Sequence, residues 1–357
     1  MEYNWDINKI NKLKQIYTNL LKNNHLSKED KITYINYLSN IKDIKKVLNH
    51  LSNPLSNIMN SINPYIFLLL FSQIQKDYQN IPQNIRQTIL KSLSAFQNLN
   101  ITYNNDTSLK YKISHSELIA LSHDFFKWLH HKKYLELFEK YTNFHNHQIH
   151  FQKKPYFEST LGLTYLFFYP KYIPFFLINT TNTINDFLTL NHELAHGIIA
   201  KNENNNNLYL SELEGFFFEF LSLQFLKEKK IISAKYLDQV EYQNFIFIIE
   251  NFMAFYLCAL KTHLNEHNIS SNKKTVAQYV SHHKFAHIIN INSFGEENPQ
   301  THAIYLYSFL TSLKLEQIFF YDRELAIHQL EAIKYSQIPV PNLDASYLRK
   351  KIKLIKK

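Results

Sequence analysis

His192 and His196 stand four residues apart in the segment Asn191-His192-Glu193-Leu194-Ala195-His196-Gly197. For both imidazoles to reach one metal ion, that segment must be helical, because residues four apart lie on one face of a helix. Glu193 sits beside that face, where a carboxylate can take a proton from a metal-bound water. This H-E-x-x-H pattern is the constellation of a zinc hydrolase, most often a metallopeptidase. The flanks predict a helix set against a core. Phe175 to Ile178 is apolar and β-prone, Asn185, Asp186 and Thr189 lead into the motif, and Ile198 and Ile199 follow it.

A catalytic zinc needs a third protein ligand and an open fourth position. Lys201 to Asn207 is a polar turn that must end the motif helix. A second helix is expected from near Leu208, carrying Ser211, Glu212, Glu214, Gly215 and Glu219. If the two helices pack antiparallel about position 204, residues 196 and 212 come level, and Glu212 completes a His, His, Glu site. Glu219, seven residues on, falls near the level of His192, where it can orient a ligand. Glu214 points to the opposite side and reads as solvated or ion-paired. The chain has only four glycines, Gly162, Gly197, Gly215 and Gly295. Glycine inside a helix costs about 1 kcal/mol relative to alanine, so each needs a reason. Gly197 and Gly215 fall near the expected helix crossing, where missing side chains let two backbones approach.

Pro174 to His196 and Leu210 to Glu219 together resemble the oligoendopeptidase F and thimet oligopeptidase family of zinc metallopeptidases. In that family a strand ending in Asn precedes a T-L-x-H-E-L-G-H helix, and a second segment reads L-A-E-x-A-S-x-x-N-E. The resemblance implies that His192, His196 and Glu212 ligate zinc and that Glu193 is the general base. Tyr305 to Ser312 resembles the family's Y-x-Y-x-Y-A-T-G helix, which faces the zinc with hydroxyl donors. The similarity covers roughly residues 150 to 320. Ala195 replaces a usual glycine, and the interval of 16 residues from His196 to Glu212 is several shorter than in the family. Phe309 stands where the family has a substrate-binding tyrosine, and His302 falls near another such position. Phe309 cannot donate a hydrogen bond. His302 and Tyr305 share a helix face, with Tyr307 turned away, so those two are the expected oxyanion donors. About 140 residues precede the similar part, so the large N-terminal half of the family's channel is expected to be reduced or rebuilt.

A chain of 357 residues can bury one or two substantial cores. The formal charge of +9 is spread out, densest at Arg349 to Lys357, which reads as a solvated helix end. No basic patch interleaved with aromatics is visible, so no nucleic-acid partner is expected. Cys258 is the only cysteine, its apolar neighbours predict a buried thiol, and a reducing compartment, the cytoplasm, is favoured. No basic-then-apolar leader and no run of eighteen apolar residues is present, and Tyr65 to Ser72 is too short to span a bilayer, so no membrane partner is expected.

The expected fold is mainly α with a small β-sheet, a zincin-like metallopeptidase catalytic domain behind a helical N-terminal region. The N-terminal region is expected over 1–140 and the catalytic domain over 141–357, with the sheet in 147–180, the metal-binding helices in 184–228 and helices after them. Ser27 to Asp30 reads as a helix start before Ile32, Ile35, Leu38 and Ile41. Ser114 and Glu117 read as a capping box. Pro64 and Pro82 open further helices, with polar turns near 78–82 and 103–107. Gln148 to Phe151, Leu161 to Tyr169 and Pro174 to Asn179 read as strands, the edge one able to hold an extended peptide. His283 and His287, with His282 beside them, lack an intervening Glu and read as surface or structural. The functional expectation is a zinc peptidase acting on short or unfolded peptides. Its rivals are a dedicated processing peptidase for a leader or precursor peptide, and a zinc-containing peptide-binding protein without turnover. Nothing in the pattern sets an oligomeric state.

Overall fold

The computed structural model describes residues 3–23, 25–52, 78–93, 112–153, 161–200, 208–267, 275–276, 278 and 298–335. The sequence expectations at Pro64, Tyr65 to Ser72, 103–107, the polar turn 201–207, His282, His283, His287, Gly295 and Arg349 to Lys357 lie outside these residues. By contacts the chain forms two units, Met1–Asn60 with Lys110–Glu203, and Ser61–Leu109 with Asn204–Lys357.

The first unit holds helices α1 (Ile7–Leu21), α2 (Lys28–Ser52), α4 (His115–Trp128), α5 (Lys132–Thr142) and α6 (Asn185–Ile199), with strands β1 (Ile149–Gln152), β2 (Gly162–Phe167) and β3 (Ile173–Asn179). The sheet order is β1-β3-β2. β1 runs parallel to β3, with Ile149 opposite Phe176 and Gln152 opposite Asn179. β2 runs antiparallel to β3, with Gly162 opposite Ile178 and Phe167 opposite Ile173. All three strands lie close to the expected segments. Strand alternation sends Phe175 and Leu177 to one face, where they join Tyr165, Phe167 and the buried residues of α1 and α2. Phe176 points to the other face, toward Tyr141 of α5, with ring centroids 5.8 Å apart.

Both expected helix starts are present. The Asp30 backbone N–H donates to Ser27 Oγ at 3.0 Å, and Ser114 and Glu117 form a reciprocal capping box. The face of α2 differs in part from the expected one. Ile41 of the expected stripe is buried and Leu38 packs partly against the core, but Ile32 and Ile35 are 50% and 56% exposed, while Tyr37, Ile44 and Val47 are buried. The rings decide this. Tyr37 packs 4.9 Å from Tyr17 and 5.6 Å from Phe167 between centroids. Turning α2 to bury the two isoleucines would forfeit that aromatic contact, which stabilises more per residue than an isoleucine does.

The second unit contains α3 (Gln83–Leu93), which follows Pro82 as expected, and α7 (Leu213–Lys229), α8 (Ala234–Glu266), α9 (Pro299–Phe319) and α10 (Arg323–Lys334). Its core is aromatic. Phe309 lies 5.7, 5.6 and 5.5 Å from Phe216, Phe220 and Phe245 between centroids. Cys258 is buried on α8, as expected. Ala234–Leu264 is long and apolar enough by composition to cross a membrane, and 67% of its most apolar window is buried inside the protein. A core helix has the same composition, since burial on all sides removes the polar face.

His150 on β1 is 5% exposed. It stacks on Trp5 at 5.1 Å between centroids, and neither of its ring nitrogens has a hydrogen-bond partner. Burial, and then the neighbouring His115, push its pKa down to about 4 from 6.5. The unfolded chain therefore binds a proton at His150 that the folded chain refuses, across the window between these values. Stability is full above the unfolded pKa and is lost as pH falls through the window, by about 3 kcal/mol if the whole shift is expressed. Denaturant unfolding at pH 7 and pH 4.5 is the check. His150→Leu should flatten the pH dependence relative to the unsubstituted chain, and an unchanged slope would remove His150 as its source.

Candidate metal centre

Helix α6 is held at both ends. At its start, the buried carboxylate of Asp186 accepts from the Thr181 N–H at 2.9 Å, the Thr181 hydroxyl at 2.7 Å and the Asn182 N–H at 2.8 Å. Asn182 adopts a left-handed φ of 56°, which asparagine tolerates better than most side chains do. The carboxylate thus closes the β3–α6 turn and places negative charge in the helix's first turn. At the other end, the Gly197 carbonyl accepts from the Tyr172 hydroxyl at 2.7 Å and the Tyr141 hydroxyl at 3.3 Å. Carbonyls in a last turn lack helical partners, and these two phenols supply them. Burial pushes the Tyr141 pKa up to about 12, so it keeps the proton it donates.

Between these anchors, His192 and His196 are half-buried, with ring centroids 4.9 Å apart. Glu193 is buried. Two residues of β2 shape its seat. The Thr164 hydroxyl lies 3.1 Å from the Glu193 backbone oxygen and also donates to its carboxylate. A Cβ on Gly162 would lie 2.5, 2.7 and 2.9 Å from Glu193 Oε1, Cγ and Cδ. Gly162 and Thr164 are alternate residues of one strand and so share a face. Sequence reasoning missed both roles. The signal available was the rarity of glycine, which marked Gly162 without saying what it touches.

Gly197 faces the sheet. A Cβ there would lie 2.5 and 2.8 Å from Phe176 Cζ and Cε1, and 3.2 Å from Pro174 Cβ. The missing side chain lets α6 approach β3.

The segment after the polar turn also differs from expectation. Leu208–Leu210 is a single 3₁₀ turn, and α7 begins at Leu213. Glu212 occupies the N-cap position with φ −97° and ψ 4°, and its side chain makes no capping hydrogen bond. It therefore sits at the mouth of the helix rather than within it. Glu219 is half-buried on α7. Glu214 is ion-paired, as one of its two expected readings has it, but buried rather than solvated, with both carboxylate oxygens on Lys334 Nζ at 2.6 and 2.5 Å. Among the described residues, one group of His, Cys, Asp or Glu could hold a metal ion. It is His192, His196 and Glu212, whose ligand atoms all lie within 4.8 Å of one another.

On α9, His302 and Tyr305 are half-buried and Tyr307 is buried. Asn251 Nδ2 donates to the Phe247 carbonyl at 2.9 Å, which turns its Oδ1 to His302 Nδ1 at 2.8 Å. The Asn251 Oδ1 thus accepts from His302 Nδ1. Tyr305 lies 6.0 Å from both the Phe216 and Phe247 rings. Burial raises the pKa of Tyr307.

No family model matches the chain. No curated protein matches it. Four solved structures do. A candidate oligoendopeptidase F from Bacillus anthracis str. Ames aligns at a TM-score of 0.45 and 14% identity, covering 92% of this chain and 62% of that one. A candidate peptidase from Chlamydophila abortus aligns at 0.47 and 15%, covering 97% and 63%. A second candidate oligoendopeptidase F aligns at 0.48 and 13%, covering 98% and 74%. The chain thus spans less than two thirds of the first two proteins it is similar to.

The two glycines beside α6 should respond differently to alanine. At Gly197 the new methyl meets the Phe176 ring, which is fixed in the sheet, and overpacking of this kind costs about 1–3 kcal/mol. At Gly162 it meets the Glu193 side chain, which can rotate away. Urea unfolding should therefore show a clear loss for Gly197→Ala and a smaller one for Gly162→Ala. Equal losses would mean that Glu193 is as rigidly seated as Phe176.

Proposed function

We propose that this chain is a zinc metalloendopeptidase that hydrolyses short or unfolded peptides. The observation that carries the reading is the His192, His196 and Glu212 group, with Glu193 next to His192 and seated against β2. Two imidazoles and one carboxylate are a donor set that catalytic zinc takes, and they leave a fourth position for water or substrate. The residues present therefore fit zinc. Bound there, zinc would supply Lewis-acid polarisation of a scissile carbonyl and acidify a water.

The chain's own residues do the rest. Glu193 takes the proton of the attacking water and passes it to the leaving amine. Thr164, donating to the Glu193 carboxylate, sets that group's direction. His302, with its Nδ1 on Asn251, and Tyr305 are assigned to the developing oxyanion. Glu219 is assigned to orienting a ligand. Among the described strands β2 is an edge of the sheet, so an extended substrate can add to it by backbone pairing. A purely metal-holding protein has no use for a carboxylate seated as Glu193 is, which favours turnover over binding alone. The lone buried thiol of Cys258 suits the reducing cytoplasm.

The reading predicts about one zinc per chain, as a site with three protein ligands should hold. Elemental analysis after dialysis is the check, with Glu212→Gln expected to lower the zinc content. Glu193→Gln should retain both zinc and fold while losing turnover of a quenched peptide library by about 10²- to 10⁴-fold. Hydrolysis that persists at near-normal rate in that variant would take the general-base role from Glu193.

A further inference from the structure

Lys334 and Glu214 are the members of a buried ion pair, with side chains only 4% and 3% exposed. Such a pair is a poor source of stability. The desolvation of both charges offsets most of their attraction, and apolar residues of similar volume often serve as well or better. The contacts of Lys334 suggest what else the pair does. Its ammonium donates to the Leu210 carbonyl at 3.0 Å and the Ser211 carbonyl at 3.1 Å, as well as to both oxygens of Glu214. Leu210 and Ser211 immediately precede Glu212, and Glu214 follows it by two residues. One cation thus grips the chain on both sides of the proposed third ligand. The Ser308 hydroxyl adds a hold on the Tyr209 carbonyl at 3.1 Å.

This grip falls where the helix does little of the work. Glu212 precedes the first turn of α7, and no side-chain cap fixes it there. The orientation of its backbone depends on the peptide units before it, whose carbonyls are turned to Lys334. We propose that Lys334 and Glu214 are positioning residues for the metal: they hold the 210–214 turn so that the Glu212 carboxylate is presented in ligating geometry, and they set zinc affinity through it. The proposal rests on the reading of Glu212 as a ligand. Outer partners of this kind commonly contribute about 10- to 100-fold to metal affinity.

Removing Lys334 alone strands a buried carboxylate and destabilises the fold, so the test removes both charges. Zinc dissociation constants are measured by competition with a chromophoric chelator for the unsubstituted chain, Glu212→Gln, Lys334→Met/Glu214→Leu, and the combination of all three. Unfolding midpoints of the metal-free proteins are read in parallel. If the apolar pair does not fold, Lys334→Gln/Glu214→Gln takes its place. The expected result is a dissociation constant raised about 10- to 100-fold by the double substitution, and by no more than about threefold when Glu212 is already Gln. That non-additivity distinguishes a clamp acting through Glu212 from general loosening. Equal weakening in both backgrounds would overturn the proposal. So would unchanged affinity in the double variant beside a weakened Glu212→Gln, which would leave the zinc site standing without the clamp. Unchanged affinity in Glu212→Gln would overturn both the third ligand and its clamp.

Discussion

Helix α6 packs against the sheet at two points where side chains are missing. At Gly197 the space a Cβ would occupy belongs to the Phe176 ring, and at Gly162 it belongs to the side chain of Glu193. Interiors are close-packed, so a single methyl at either point must displace something. These contacts set the height of the helix above the sheet. They also set where the two histidines stand, because His192 and His196 take their positions from the same helix. The hydrogen bonds at each end, Asp186 to the 181–182 backbone and two tyrosines to the Gly197 carbonyl, then limit sliding along it.

The polar groups buried in this chain are placed with different consequences. Asp186 is satisfied by three local donors and closes a turn. Glu193 is buried against a strand that offers it the Thr164 hydroxyl and the space left at Gly162. Glu214 is handed to a cation, and so is not available as a ligand. Three carboxylates in the same stretch of sequence therefore have three separate fates, decided by what packs around each one. His150 is the contrast: an imidazole whose neighbours offer neither nitrogen a partner, held neutral by burial.

Local pattern made much of the site legible. The spacing of His192 and His196 required a helix, and a helix is there. The three short strands, the caps at Ser27 and Ser114 and the buried Cys258 were each readable from a few neighbouring residues. Departures arose where a residue's role depends on something remote. Ile32 and Ile35 of the α2 stripe stay exposed because Tyr37 found Tyr17 and Phe167, which no helical periodicity within α2 encodes. Glu212 was expected inside a helix because turn and helix differ little in pattern at a boundary, and only the backbone angles separate them.

What the sequence by itself determined is the chemistry on offer: two imidazoles on one helical face, a carboxylate between them, a second acidic segment after a polar turn. These follow from short-range periodicity, which the order of residues states directly. What only the tertiary structure decided is how that chemistry is held. The Thr164 to Glu193 bond joins residues 29 apart in the chain, and the Lys334 to Glu214 pair joins residues 120 apart. Pairings at such separations depend on which surfaces are left facing each other once the helices and strands have buried their apolar sides, and no local spacing records that outcome.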